Sequence, residues 1–347
     1  MKRRTLLGLA ATLGAGALAT GGVTMGNSYY SGPKSDHFDG EAFFNPDGIP
    51  PKGLRDLLRW QLGKDRADWP DSIGVTQIRP DARVADLRVT MIGHASVLIQ
   101  AGGVNILTDP VWSKRASPLK IAGPARVTAP GIAFDHLPPI DVVLLSHNHY
   151  DHMDISTLRR LHARYAMPVL TPLGNDTILR AAIPGIDARA GDWDDVLEGG
   201  GISTRLLQCH HWSARGTRDR SHALWCSFAV ETPVGRIYAM GDTGYDGGRP
   251  YEVAARYGPY RLAIIPIGAY APRWFMKGQH QNPDEAVAGF RVAGAKHALA
   301  HHWGTFQLTN EAREEPPEHL RIALAAAGIS TDVFQTVVPG ATWDVPA

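Results

Sequence analysis

The sequence predicts an α/β protein in which two packed, mixed β-sheets carry helices on their outer faces. Short apolar runs bounded by Gly, Pro or Asp indicate buried strands, and they come in two batches along the chain. Segments with helical periodicity are interleaved with the strands of each batch. Two batches of this kind favour two sheets packed face to face, with the helices outside. The 347 residues, of which 44% are hydrophobic, are enough to bury such a core.

The expected strands and helices of each batch follow one another along the chain. The first contains the strands LRVTMIG, SVLIQA, VNILTDP and IDVVLLS, followed by the helix DISTLRRLHARY. The second contains the strands GISTRLLQC, ALWCSFAVET, GRIYAMGD, RLAIIPIG and KHALAHH. A helix NPDEAVAGFRVAG is expected before the last of these strands, with Asn282 as its N-cap and Pro283 at its first position. A final helix, PPEHLRIALAAAG, is ended by Gly328.

The N-terminal residues predict an export signal. Arg3 and Arg4 precede an apolar stretch diluted by Gly and Ala, and together they resemble the twin-arginine signal of bacteria. The stretch is shorter than the ~20 residues that a membrane span needs, so we favour a signal over an uncleaved anchor. We assign residues 1–26 to this signal, with cleavage after Ala19. The mature protein is then expected in the periplasm.

The rest of the chain divides into an extension and a main domain. Residues 27–85 are polar and rich in Pro and Gly, with one patch, LRDLLRWQL, that predicts a short helix. We expect this extension to pack on the main domain, residues 86–347.

Charge and cysteine content exclude some functions. The formal net charge is +1, so no overall field attracts nucleic acid, although a local basic patch is left open. The only two cysteines, Cys209 and Cys226, are too few for a four-cysteine zinc site. We interpret them as small buried residues, and the sequence leaves their pairing open.

A cluster of metal-binding side chains follows one buried strand. In LLSHNHYDHMD, His147, His149, Asp151 and His152 stand directly behind the apolar run. Imidazole and carboxylate are ligands that zinc prefers, but four neighbouring ligands crowd one side of a single tetrahedral ion. Two adjacent ions relieve this crowding. A solvent-exposed His-rich loop is the alternative, and the buried strand that leads into the cluster argues against it.

This spacing resembles the His-x-His-x-Asp-His signature of the metallo-β-lactamase superfamily and implies its fold. The resemblance implies three further ligands, and the chain offers them in order. They are His210 or His211 in QCHHW, Asp242 in AMGDTG, and His301 or His302 in LAHHWGT. If each tandem pair continues a strand, alternation sends only one ring inward. We choose the histidine that precedes Trp, His211 and His302, and expect the other to be supporting or exposed.

Longer motifs sharpen the resemblance to the N-acylphosphatidylethanolamine-hydrolysing phospholipase D group. They include GHAS, TDPVWSKRASP, HHWSARG, GDTGY, IPIGAYAPRWFMKGQHQNPDEAV and HHWGTFQLT. The resemblance implies two zinc ions. One would take His147, His149 and His211, the other Asp151, His152 and His302, with Asp242 bridging.

The same resemblance implies the substrate contacts and the catalytic groups. Tyr150, Gln279 and His280 are expected near the substrate phosphate. We count Asp151 and His280 as catalytic, His280 as a proton donor or phosphate contact. An apolar entrance around PRWFM would suit acyl chains.

Some residues near the predicted site have plainer alternatives. We expect His94 and Asp109 to orient ligands rather than to bind metal. Arg115 and Arg126 are either phosphate contacts or ordinary surface charges.

The expected reaction is hydrolysis of an N-acylated glycerophospholipid by a hydroxide held between two zinc ions. A lactonase or another ester or thioester hydrolase is an alternative with the same ligand pattern, and a β-lactamase is less favoured because Asp242 stands where many of those enzymes have Cys. A non-catalytic metal-binding envelope protein is disfavoured by the complete ligand set. The expected partners are a phospholipid or other small-molecule substrate and a peripheral membrane contact, with no nucleic acid. The oligomeric state stays open, a homodimer included.

Overall fold

The structure is a computed structural model that describes residues 27–49, 52–63 and 65–347. The predicted signal peptide and its cleavage site lie outside the described residues. Within these ranges, no helix is both long enough and apolar enough to cross a bilayer.

The first sheet combines an antiparallel half and a parallel half. Its strands are β1 (Leu87–Gly93), β2 (Ser96–Ala101), β3 (Val104–Thr108), β4 (Val142–Leu144), β5 (Val169–Pro172), β6 (Ala188–Gly191) and β14 (Thr342–Asp344). They are arranged in the order β14-β1-β2-β3-β4-β5-β6. The pairs from β14 to β3 are antiparallel, and those from β3 to β6 are parallel.

The second sheet repeats this division. Its strands are β7 (Val196–Gly199), β8 (Ile202–Leu207), β9 (Ser227–Glu231), β10 (Ile237–Ala239), β11 (Leu262–Pro266), β12 (His297–His301) and β13 (Phe334–Gln335). They follow the order β13-β12-β11-β10-β9-β8-β7. Strands β7 to β10 pair antiparallel, whereas β10 to β13 pair parallel.

Helices cover the outer face of each sheet. The helices of the structure are α1 (Leu54–Gln61), α2 (Ile155–Tyr165), α3 (Asn175–Ala182), α4 (Arg249–Ala255), α5 (Arg273–Met276), α6 (Pro283–Ala293) and α7 (Glu315–Ala327), with 3₁₀ turns at Phe134–His136 and Asp246–Gly248. Of these, α1 and α5 pack on each other rather than on a sheet. Leu158 of α2 and Leu179 of α3 pack on the first sheet. Phe290 of α6 and Leu320 of α7 pack on the second sheet.

The inner faces of the two sheets share one apolar core. Met91 and Leu144 of the first sheet pack with Phe228, Ile264 and Leu299 of the second, and all five are almost fully buried. Sheets that interdigitate their inner side chains in this way form a sandwich. The predicted fold, two packed mixed sheets with outer helices, is therefore confirmed.

Local signals placed the helix ends correctly, and short strands escaped prediction. The side chain of Asn282 accepts a hydrogen bond from the Glu285 N–H and caps α6, while Gly328 ends α7 in the left-handed conformation. The stretch that contains β5, α3, β6 and β7 carried no assignment, because strands of four residues show too little periodicity. Cys209 and Cys226 are buried free thiols, as the interpretation from sequence favoured.

The N-terminal extension lies against the main domain along much of its length. Phe38 and Phe43 pack with Trp225, and the N–H of Phe43 donates to the carbonyl of Ser221. Further along, Leu57 and Trp60 of α1 contact Met276. The predicted boundary at residue 85 stays a prediction.

Candidate metal centre

The predicted ligands lie in loops at one edge of the sandwich. One loop follows β4 and carries His147 to His152, and others follow β8, β10 and β12. Strands β4, β10 and β12 have parallel neighbours, so their carboxyl ends lie at a common edge, where α/β proteins build their sites. This shared edge brings residues together that are far apart in sequence.

The loop after β4 is held in a defined shape at its far end. Asp154 caps α2 by accepting hydrogen bonds from the N–H groups of Ser156 and Thr157, and it also accepts from Ser113 N–H. Nε2 of His147 lies 2.8 Å from Nδ1 of His149. Side chains two residues apart on an extended backbone project to the same side, and the two rings accordingly face the same point.

Two groups of donor atoms converge at this edge. The first consists of His147, His149, His211 and Asp242, and the second of His94, Asp151, His152 and His302. Within each group, all donor atoms lie within 4.8 Å of one another. Asp242 connects the groups, because its carboxylate lies 3.7 Å from Nε2 of His211 and 2.9 Å from Nε2 of His302. The structure thus brings all seven predicted ligands together.

The spacing of the donor atoms fits divalent metal ions. Zinc–nitrogen bonds of about 2.0–2.1 Å in a tetrahedron place the ligand atoms roughly 3.3–3.4 Å apart. Nε2 of His302 lies 3.2 Å from Nε2 of His152, and Nε2 of His211 lies 3.3 Å from Nδ1 of His149. When several imidazole nitrogens face one another in one cluster, hydrogen bonds between the rings cannot satisfy all of them. A cation between them satisfies their lone pairs together.

Burial and charge set the protonation of this cluster. Burial holds the pKa values of His147 and His211 well below their usual range, so both rings are neutral and able to bind metal. Burial raises the pKa of the Asp242 carboxyl, but the charges of His302 and His152 outweigh it and hold that pKa well below its usual range. Likewise, burial lowers the pKa of His302, but Asp242 and Asp151 raise it to about 9.

Supporting groups surround the donors. His94 Nε2 lies 2.8 Å from Asp151 Oδ2, and Asp109 Oδ2 lies 2.8 Å from His152 Nδ1. Asp109 also accepts a hydrogen bond from the hydroxyl of Ser146. Hydrogen bonds of this kind fix the orientation of metal-binding rings and carboxylates. His94, Asp109 and His302 all have positive φ angles, a strained conformation for such residues that is typical of functional sites.

Loop geometry decides which histidine of each tandem pair faces the donor groups. This corrects the reason given from sequence, which was alternation along a strand. Strand β8 ends at Leu207, so His210 and His211 lie beyond it, and His302 leaves β12 with a φ of 64°. His210 Nε2 accepts a hydrogen bond from the Ile49 N–H, outside both donor groups. His301 is buried rather than exposed, and among the described residues neither of its ring nitrogens has a hydrogen-bond partner.

A cavity of about 380 Å³ opens over the two donor groups. Its lining includes His149, Asp151 and Asp242. The packed side chains of Leu57, Trp60, Phe275 and Met276 form an apolar wall of the cavity. Further apolar residues also line it, namely Ala116, Pro118, Pro124, Trp212, Ala214, Ala269 and Leu308. Basic residues also line it, namely Lys52, Arg215 and Arg220. An apolar wall beside basic groups suits an amphiphilic, anionic molecule.

The predicted substrate contacts, Tyr150, Gln279 and His280, all line this cavity. Nδ1 of His280 lies 3.9 Å from Asp242 Oδ2, and burial lowers the pKa of the His280 ring to about 4. The carbonyl of Gln279 lies 3.0 Å from Nδ1 of His211, while its side-chain oxygen accepts a hydrogen bond from the indole of Trp212. Gln279 therefore supports a predicted ligand besides facing the cavity.

Arg115 and Arg126 do not line the cavity, which corrects the suggestion that they contact phosphate. Arg115 donates to the carbonyl of Gly123. Arg126 is half-buried, and its guanidinium donates to the carbonyls of Ser113 and Val111. Both guanidinium groups are therefore bound to backbone carbonyls, and Arg115 keeps the partial exposure of a surface charge.

The family follows from comparison with known proteins. A family model described as the beta-lactamase superfamily domain matches residues 104–303, which include all seven predicted ligands. The chain belongs to the beta-lactamase superfamily. Within it, an N-acyl-phosphatidylethanolamine-hydrolyzing phospholipase D of Caenorhabditis elegans is 34% identical over 84% of this chain and 85% of its own length. The predicted relationship to that group is therefore confirmed.

Two further proteins are similar to this chain, one by sequence and one by fold. The mitochondrial N-acyl-phosphatidylethanolamine-hydrolyzing phospholipase D of Saccharomyces cerevisiae is 30% identical over 67% of this chain and 51% of its own length. Igni18, a metallo hydrolase of Ignicoccus hospitalis, has a TM-score of 0.55, 17% identity and coverage of 74% of this chain and 97% of its own. The second comparison shows the fold alone. Together with the donor groups, these similarities identify a metal-dependent hydrolase of the superfamily.

Sequence reasoning missed one residue that shapes the ligand loop. Arg215 donates hydrogen bonds to the carbonyls of Asn148 and Met153, and its guanidinium lies 4.0 Å from the centre of the Tyr150 ring. It therefore holds both ends of the loop that carries His149. The only signal was its place in HHWSARG, close after a predicted ligand.

Proposed function

We propose that the chain is a binuclear zinc phosphodiesterase of phospholipase D type that hydrolyses N-acylphosphatidylethanolamine-like phospholipids. One observation carries this proposal: two donor groups joined by Asp242 lie beneath a cavity that has an apolar wall and basic side chains. The relatives of Caenorhabditis elegans and Saccharomyces cerevisiae are named as phospholipases of this type, and the first matches most of the chain.

The donor set suggests how two ions would be held. His147, His149 and His211 would take one ion, and Asp151, His152 and His302 the other, with Asp242 shared. Imidazole and carboxylate ligands at these spacings suit zinc, and the rings of His152 and His302 would give up their extra protons on binding it. When bound, a pair of such ions polarises phosphate oxygens and makes water a stronger nucleophile.

The basic residues of the cavity favour a phosphodiester over a neutral substrate. Arg215 and Arg220 lie beside the donor groups and provide positive charge for a phosphate. The ring of His280, close to Asp242, offers a further contact to a phosphate oxygen. A lactone or a simple thioester has no anionic group at its reacting centre. The ligand set alone does not separate these substrates, and the charged lining supports the phosphodiester.

The apolar wall would take the acyl chains. Leu57, Trp60, Phe275 and Met276 pack together along this side, and burial of each methylene against such a surface stabilises the complex by about 0.8 kcal/mol. In the reaction, the oxygen of water bonds to phosphorus, and the bond between phosphorus and the alcohol oxygen of the N-acylethanolamine breaks. The released oxygen takes the proton that the attacking water gives up. The products are phosphatidic acid and an N-acylethanolamine.

Exposed apolar residues beside the cavity support a peripheral membrane contact. Ile121 is 86% exposed and Leu119 is 49% exposed, in the same loop as the cavity residues Pro118 and Pro124. On the other side, Leu62 directly follows α1 and is 74% exposed. Such residues at a cavity mouth suit insertion into a lipid surface. With the predicted export signal, these residues support a proposed reaction at a periplasmic membrane face.

The direct test is hydrolysis of vesicles that contain N-acylphosphatidylethanolamine. We expect the zinc-loaded protein to release N-acylethanolamine and phosphatidic acid in equal amounts. The Asp242→Asn variant should lose this activity, while Asp332→Asn, a change of an exposed carboxylate, should keep it. Parallel assays with lactones and thioesters decide between substrates. Faster turnover of a lactone than of the phospholipid would overturn the proposal.

A further inference from the structure

His211 lies in a stretch where the sheet does not supply its backbone partners. Strand β8 ends at Leu207, and the carbonyl of His210 accepts the Gly244 N–H in a single isolated bridge. A buried peptide group without a partner is destabilising, so the next residue needs partners from elsewhere.

Asn45 of the N-terminal extension supplies both partners. Its side-chain amide donates to the carbonyl of His211 at 2.8 Å, and its side-chain oxygen accepts the His211 N–H at 3.2 Å. The same oxygen accepts the indole N–H of Trp225 at 3.2 Å. The carboxamide thus takes the place of a neighbouring strand and holds the backbone of a predicted metal ligand on both sides.

The position of Asn45 is itself fixed by bonds around it. Phe43 donates its N–H to the carbonyl of Ser221, and the carbonyl of Pro46 accepts a hydrogen bond from Arg249. Ile49 donates its N–H to Nε2 of His210. This part of the extension is therefore anchored on the loop that carries His211, although it lies outside residues 104–303, which the family model matches.

We propose that Asn45 is a positioning residue of the metal centre, and that the extension is thereby a functional part of the site. The ring of His211 is held at Nδ1 by the Gln279 carbonyl, and its backbone is held by Asn45. Loss of one of these restraints lets the ring turn away from Asp242. The inference rests on the metal centre of the proposed function and not on the lipid substrate.

The test measures zinc affinity by competition with a chelator, which needs no substrate. Supporting groups of metal ligands contribute about 10–100-fold to metal affinity, and we expect a loss of this size in Asn45→Ala. Asn45→Asp keeps the acceptor oxygen but replaces the donor by a second oxygen that faces the His211 carbonyl. It should lose at least as much affinity, and cobalt-loaded protein should show an altered visible absorption spectrum.

Asn27 provides a matched control. Its side chain also ties the extension down, through the carbonyls of Glu41 and His222 and the N–H groups of Tyr29 and Tyr30. Asn27→Ala should keep wild-type zinc affinity. Equal affinity in the Asn45 variants and the wild type, or an equal loss in Asn27→Ala, would overturn the inference. Unchanged zinc affinity in His211→Ala would instead refute the metal centre itself.

Discussion

The carboxylate of Asp242 lies 2.9 Å from Nε2 of His302, and its second oxygen lies 3.3 Å from Nε2 of His152. One side chain from the loop after β10 therefore contacts rings from two other loops. Because it also faces His211, a change at this position affects both donor groups at once.

Removal of this shared carboxylate should lower the zinc content of the centre. In Asp242→Asn we expect zinc content to fall from two ions per chain to one or fewer, with activity reduced more than about 100-fold. The neutral amide keeps the size of the side chain but loses the negative charge that attracts the cations. Zinc per chain, measured by elemental analysis after gel filtration, checks this prediction. A variant that retains two ions would contradict it.

Asp109 should act on the centre most strongly through His152, which it contacts directly, and less strongly through the Ser146 hydroxyl, which lies 2.9 Å from Nδ1 of His147. Asp109→Asn weakens the acceptor for His152 Nδ1 and for the Ser146 hydroxyl, so the ring loses its fixed orientation. We expect the affinity for one of two zinc ions to fall about 10–100-fold. Titration with a chelator should show that one ion is weakened clearly more than the other. Uniform weakening of both ions would argue against this route.

Trp60 should influence the length of acyl chain that the protein accepts. Its indole donates to the side chain of Asn310, and its ring stacks on Phe275 at 4.9 Å, where it lines the cavity. Trp60→Ala should raise KM for long-chain substrates more than for short-chain ones, because apolar contact with the distal part of the chain is lost. Trp69 is the control, since its indole donates to the carbonyl of Glu311 but it does not line this cavity. Equal changes in both variants would contradict a role in chain length.

The exposed apolar residues beside the cavity, Leu62, Leu119 and Ile121, form an apolar rim that should govern binding to vesicles. Ile121→Glu is expected to weaken partition to phospholipid vesicles roughly tenfold or more, since burial of one large aliphatic side chain is worth about 1.5–3 kcal/mol. Turnover of a soluble phosphodiester should not change. Ile322→Glu is the control, because it removes an exposed isoleucine of α7 that is not part of the rim. Vesicle sedimentation of both variants is the measurement, and equal binding by Ile121→Glu and the wild type would refute the role of the rim.

The docking of the extension should depend on pH through His37. Nε2 of His37 lies 2.7 Å from Asp192, and Nδ1 lies 2.6 Å from Asp36. Burial lowers the pKa of His37, but the hydrogen bonds to Asp192 and Asp36 outweigh it, and the pKa is raised overall. A raised folded-state pKa adds stability below the unfolded value of about 6.5, and this stability is lost as pH rises through the folded value.

The corresponding measurement compares thermal unfolding of the wild type and His37→Gln across pH. The difference in Tm should be largest in mildly acidic buffer and should shrink as pH rises above about 6.5. A difference that stays constant over this range would show that the charge of His37 does not contribute.

The sequence by itself determined the ligand types and the local elements. His147, His149, Asp151 and His152 stand within a few residues of one another, so their clustering needs only a strand followed by a turn. The ends of α6 and α7 were likewise set by neighbours, because a cap acts within one turn of helix.

Tertiary structure decided which remote residues complete the site. The choice between His210 and His211 depends on how a loop leaves β8, and no alternation pattern reaches that far. The contacts of Asn45 and Arg215 are hydrogen bonds to backbone groups, which have the same chemistry at every residue and leave no mark in the sequence of their partners. Only the packing of the two sheets, which aligns the ends of β4, β8, β10 and β12, brings these groups within hydrogen-bonding distance.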